Sequence, residues 1–218
     1  MHKRAPIALA AAVALTAAFL APAADARSSV NKSVKVGAGE TLRENLSSVN
    51  GSVTIGDDAV LEGDAETVNG SLNVNDGAQT RNLSSVNGSV RVGSRVSVDG
   101  DVSTVNGTMR VENGTTISGE VQTVNGSIRL RGTTVERDLE TINGKVVLEA
   151  GSQVGGNLIV RESRGRNFWR DALEIELRGG STVNGDLIVE DEDREVRLIL
   201  RDGSAVRGEI RGAEVVRE

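Results

Sequence analysis

The sequence predicts an all-β fold, a right-handed, three-sided parallel β-helix (β-solenoid) of 18–19 residues per coil and about nine coils. Three observations predict it. A Ser/Thr-Val-Asn-Gly motif recurs from end to end, glycines cut each interval into three short pieces, and residues 27–218 contain no proline. Proline cannot donate to a strand ladder, so its absence fits a chain in which nearly every strand is central.

The motif reads SVNKSVKV from Ser29, SVNGSVTI from Ser48, TVNGSLNV from Thr67 and SVNGSVRV from Ser85, then TVNGTMRV from Thr104, TVNGSIRL from Thr123 and TINGKVVL from Thr141. A later copy, TVNGDLIV, starts at Thr182. The motif asparagines Asn31, Asn50, Asn69, Asn87, Asn106, Asn125 and Asn143 are separated by 19, 19, 18, 19, 19 and 18 residues. With Asn184 they are expected to form one structural ladder, stacked amide on amide as in cross-β assemblies. Asn tolerates left-handed backbone and suits a corner followed by Gly.

Asn-Gly between alternating apolar residues is also a hairpin signal. Only one turn per interval is Asn-Gly, however, and the coil that starts at Gly107 is punctuated again at Gly114 and Gly119 before Gly126 opens the next. Those steps outline a three-sided coil rather than a meander. A lipid-facing barrel would need aromatic girdles, and the only aromatics after residue 26 are Phe168 and Trp169.

Alternation within each side assigns Val102, Val105, Met109, Val111, Ile117 and Val121 inward, with Leu83, Val86, Val90, Val92 and Val98 one coil earlier. Six aliphatics per coil cannot offset the entropy of ordering that coil, so stacked neighbours must supply the rest. The Ser/Thr column two residues before each asparagine (Ser48, Thr67, Ser85, Thr104, Thr123, Thr141) is expected to hydrogen-bond beside the corner, at the surface or along a ladder.

Residues 1–26 read as a signal peptide: a basic start, an apolar stretch, and Ala24-Asp25-Ala26 before a cleavage point at Arg27. The expected organisation is 1–26 signal peptide and 27–218 a single solenoid domain. No transmembrane segment is expected after cleavage, and the protein is expected in the periplasm or at the cell surface of a bacterium. Lys3 and Arg4 against Asp25 give the leader a charge of +1, so the net −6 of the whole chain leaves −7 on the remainder. That acidic balance argues against nucleic acid as a partner. The only histidine is His2 and there is no cysteine. Residues 27–218 therefore lack the groups for a Ser-His or Cys-His nucleophile and for an ordinary zinc site, and no cofactor, metal or enzymatic activity is expected.

Two interruptions break the period, RESRGRNFWRDA at 161–172 and EDEDRE at 190–195. They follow GNLIV and GDLIV, so both should leave the same corner on successive coils and pair their opposite charges. The first is the candidate interaction loop, with Arg164, Arg166, Phe168, Trp169 and Arg170 grouping guanidinium and aromatic side chains of the type that dominates binding surfaces.

The closing rungs GSQVGGNLIV, GSTVNGDLIV and GSAVRGEIRG, with the earlier GSRVSVDGDVSTV, resemble those of bactofilins, and the VNGSV columns resemble putative-adhesin β-solenoids of exported bacterial proteins. The resemblance implies a three-sided parallel β-helix and, from bactofilins, end-to-end polymerisation without nucleotide. Neither family brings catalytic residues. The export signal departs from bactofilins, which are usually cytoplasmic. The expected function is that of an exported, non-enzymatic cell-envelope solenoid that is structural, adhesive or self-associating, with an envelope polysaccharide or protein as a further partner. The alternative is a carbohydrate-binding or carbohydrate-active β-helix acting through the Arg/Phe/Trp loop. For it, the acidic pairs Asp57/Asp58, Glu62/Asp64 and Asp99/Asp101 are the candidate carboxylates.

Overall fold

A computed structural model describes residues 26–162 and 172–218, and in them every regular element is a short β-strand. Each coil contributes one strand to each of three parallel sheets. The first sheet orders Ala26–Ser29, Asn45–Ser48, Ala65–Thr67, Leu83–Asn87, Val102–Asn106, Val121–Asn125, Leu139–Asn143, Leu158–Val160, Leu187–Val189 and Ile210–Arg211. The second runs Val34–Val36, Val53–Ile55, Leu72–Val74, Val90–Val92, Met109–Val111, Ile128–Arg131, Val146–Glu149, Leu173–Leu177, Val196–Leu200 and Glu214–Arg217. The third has nine two-residue strands, from Thr41–Leu42 to Ala205–Val206. The protein is a parallel β-solenoid.

Ten strands at about 4.8 Å spacing make a rod about 43 Å long. The first two sheets exceed the expected nine coils by one strand each, because the last segment, Ile210–Arg211 and Glu214–Arg217, also pairs. Ala26–Ser29 lies in register on Asn45–Ser48, and Arg197–Leu200 takes Glu214–Arg217 as its neighbour.

The core is a stack of aliphatic columns. Leu46, Ala65, Leu83, Val102, Val121, Leu139, Leu158 and Leu187 lie over one another in the first sheet and are fully buried. In the coil of Asn106 the expected Val102, Met109, Val111, Ile117 and Val121 all face inward, as do Leu83, Val90, Val92 and Val98 one coil earlier.

The assignment of Val86 and Val105 is corrected. Strands Leu83–Asn87 and Val102–Asn106 run straight for five residues. Strict alternation from Leu83 and Val102 turns Ser85 and Thr104 inward and the two valines to the half-exposed outer face. The whole hydroxyl column, Ser48, Thr67, Ser85, Thr104, Thr123 and Thr141, is accordingly buried, so of the two expected arrangements it takes the ladder and not the surface. Two of these hydroxyls have a clear role: Ser48 Oγ donates to Lys32 O at 3.1 Å and Thr67 Oγ1 to Gly51 O at 3.0 Å. Thr123 Oγ1 and Thr141 Oγ1 are buried without a hydrogen-bond partner.

Candidate functional site

The corner between the first and second sheets carries the ladder and both excursions. Asn50 Nδ2 donates to Asn31 Oδ1 at 3.0 Å, and the same bond joins Asn69 to Asn50, Asn87 to Asn69, Asn106 to Asn87, Asn125 to Asn106 and Asn143 to Asn125, at 2.8–3.0 Å. Seven asparagines thus form one uninterrupted amide chain. None has a positive φ. The glycine that follows is needed for space, because a Cβ on Gly107 would sit 2.0 Å from the carbonyl oxygen of Gly88, and one on Gly126 would sit 1.8 Å from that of Gly107.

Asn184 does not belong to this ladder. Thr182–Val183 is a third-sheet strand, in register with Gln153–Val154 and Ala205–Val206, so the last TVNG turns a different corner. The four letters match but the neighbouring coils decide which corner they occupy, and here Asn184 N donates to Val154 O at 2.8 Å.

Past Asn143 the corner opens. Leu158–Val160 and Leu187–Val189 are first-sheet strands, and the chain re-enters the second sheet at Leu173 and Val196. Both excursions therefore leave the same corner, as the sequence predicts. Arg164, Arg166, Phe168, Trp169 and Arg170 lie outside the described residues. The shorter excursion folds back on the ladder: Arg194 Nη1 donates to Asn143 Oδ1 at 2.6 Å and to Ile142 O at 2.7 Å, closing the amide chain with a cation. Burial pushes the Arg194 guanidinium below its ordinary range, against the opposing pull of Asp191.

Charge pairing between the excursions is present at their first residues. Arg161 donates through Nη1 to Glu190 at 2.6 Å and through Nη2 to Glu140 at 2.5 Å, and the Glu140 hydrogen bonds hold the guanidinium well above its ordinary value. Beyond them runs a second network, in which Glu176, buried at 6 % exposure, meets Lys145 at 3.4 Å, Arg178 at 3.5 Å and Arg201 at 3.2 Å. Among the described residues no group of three or more His, Cys, Asp and Glu is arranged to hold a metal ion. No helix there is long and apolar enough to cross a membrane.

A second ladder escaped the sequence reading. At the corner between the third and first sheets, Asn45 Oδ1 accepts from Asp64 N at 2.8 Å, Asn82 Oδ1 from Asp101 N at 2.8 Å, Asp101 Oδ1 from Glu120 N at 2.8 Å and Asp138 Oδ1 from Asn157 N at 2.6 Å. It continues from Asn157 to Asp186 at 2.9 Å and from Asp186 to Glu209 at 2.8 Å. The signal was available: an Asp or Asn opens nearly every first-sheet side at the same 18–19-residue period. Asp64 and Asp101, candidate carboxylates of the carbohydrate-active reading, are members of this backbone-capping column. In comparisons with family models, curated proteins and solved structures, the chain matches none.

Proposed function

We propose that the chain is an exported, non-enzymatic cell-envelope rod that self-associates end to end, in the manner its bactofilin-like rungs imply. The observation that carries this reading is the uniform parallel register from coil to coil. Each sheet continues by one repeated rule, so its last strand is a template of the same kind as every internal one. Glu218 N donates back to Leu200 O at 3.0 Å. Backbone alternation then aims the N–H groups of Val215 and Arg217 to the side of that strand that pairs with no other strand among the described residues. Val206, Ile210 and Val215 in the same coil are only partly buried against the core.

Sedimentation velocity of the purified protein over a wide concentration range tests the proposal. Elongated species that grow with concentration are expected, and Val215→Pro, which deletes one outward N–H, should reduce them while leaving the monomer folded. A species that stays monomeric at the highest concentration overturns the self-association.

A further inference from the structure

The outer face of the second sheet, midway along the rod, carries a feature that end-to-end assembly does not use. Arg91, Arg110 and Arg129 occupy the same register position on consecutive coils, about 4.8 Å apart. Stacked like charges repel, and elsewhere on this rod nearby carboxylates relieve such crowding. Arg129 has Glu149 at 3.9 Å, but Arg91 and Arg110 are exposed and form no ion pair among the described residues.

Two concavities share this arginine pair. On one side, Ser89 and Thr108 line a mainly polar notch of about 80 Å³ together with Arg91 and Arg110, residues that carry two hydroxyls and two guanidinium groups. The notch has the volume and donor set for one oxyanion group, since a guanidinium fork matches a carboxylate or phosphate and the hydroxyls add donors. On the other side a shallow depression of about 390 Å³ is lined by Asn73, Asn75, Asp57, Asp76 and Glu112 beside the arginine pair. Those carboxylates and amides would repel a bare anion but accept hydrogen bonds from hydroxyls. Asp57 is oriented by Asn75 Nδ2 at 3.4 Å, and Asp76 Oδ1 already accepts from Ser94 N at 2.8 Å.

We propose that this face binds an acidic saccharide. Its carboxylate or phosphate group enters the Ser89–Thr108 notch between the guanidinium groups of Arg91 and Arg110, and its ring hydroxyls lie across the Asn73–Glu112 depression. Neither half suffices alone. A simple anion would leave the acceptors facing it, and a neutral sugar would leave two stacked cations uncompensated. The site stands on side chains remote from the coil ends, so it does not depend on whether the rod assembles.

Calorimetric titration of the purified protein with a galacturonate oligomer, a neutral galactose oligomer of equal length, a sugar phosphate and inorganic phosphate tests the proposal. Binding of one or both acidic sugars is expected, and the better of the two identifies the charged group. The Arg91→Gln/Arg110→Gln variant should lose at least tenfold in affinity for it, and Glu112→Gln should weaken it several-fold. Both sites are exposed, so unchanged circular dichroism should confirm the fold. Inorganic phosphate bound as tightly as the sugars would overturn the saccharide half. Neutral oligomer bound equally well, no binding of either acidic sugar, or acidic-sugar affinity unmoved by the arginine substitutions would overturn the site.

Discussion

The coils before Asn143 and those after it solve the same stacking problem with different chemistry. In the earlier coils the corner is a tight Asn-Gly turn, the inner corner column is hydroxyl, and the arginines of the second sheet stand largely unpaired. In the later coils that corner opens into excursions, the inner column becomes Val160 and Val189, and buried Glu140 and Glu176 hold crosswise ion pairs. A second hydroxyl column, which coexists with the first from Thr115 onward, continues into these coils: Val96 N donates to Thr115 Oγ1, Thr133 N to Ser152 Oγ, Ser152 N to Ser181 Oγ and Ser181 N to Ser204 Oγ, at 3.0–3.3 Å. The backbone ladder is therefore the invariant, and the side-chain columns are interchangeable ways of filling it. Charges neutralised within the rod mark regions given over to holding excursions; charges left unpaired mark the face free to meet something else.

The largest expected effect concerns the corners. Gly107→Ala drives a methyl into the Gly88 carbonyl and should cost about 3 kcal/mol. Gly203→Ala in the later coils meets nothing within 4 Å and suffers only its positive φ of 73°, so it should cost about 1 kcal/mol. Chemical denaturation of the two variants separates close approach from backbone strain, and equal losses would erase the distinction.

Next comes the ion-pair network. Arg161→Ala leaves Glu140, at 4 % exposure, without its main partner and should cost about 2 kcal/mol. Arg91→Ala in the unpaired stripe should be within about 0.5 kcal/mol of the parent.

The hydroxyl column should give opposite signs within one region. Thr67→Val deletes a donor to Gly51 O and should destabilise by about 1 kcal/mol, whereas Thr123→Val deletes a buried hydroxyl that has no partner and should stabilise by a similar amount. Matching signs in thermal unfolding would contradict the inward placement of this column.

The smallest effect is a pH dependence. Burial, helped by Asp64, raises the Glu66 carboxyl above its ordinary value. The folded chain therefore binds this proton more tightly than the unfolded one, and stability from this group is gained as pH falls through its folded pKa. Glu66→Gln should stabilise by a few tenths of a kcal/mol at pH 7, an amount limited by solvent screening, and the gain should vanish in acid. A gain that persists unchanged at pH 3 would contradict the assignment.

Much of this was legible in the sequence because a solenoid repeats its physics every coil. The 18–19-residue period and the glycine punctuation gave the three sheets, the amide ladder and the shared corner of the excursions. Three features were not legible. Val105 against Thr104 depends on whether the strand runs straight to Asn106, and apolar character alone chose wrongly. The motif around Asn184 looks like its predecessors, but its corner is set by Gln153–Val154 below it and Ala205–Val206 above. The arginine face consists of ordinary outward residues, and only the lack of an ion pair to Arg91 or Arg110 among the described residues distinguishes it.

Coil-on-coil registry is the claim on which the rest stands, and the absence of cysteine makes it accessible to spin labels placed at Ser47→Cys and Ile188→Cys. These positions share one outer column, seven coil steps apart. Pulsed electron–electron resonance should therefore return a single narrow distance near 34 Å, about 4.8 Å per step. A broad distribution, or a centre displaced by several coil spacings, would contradict the stacked solenoid.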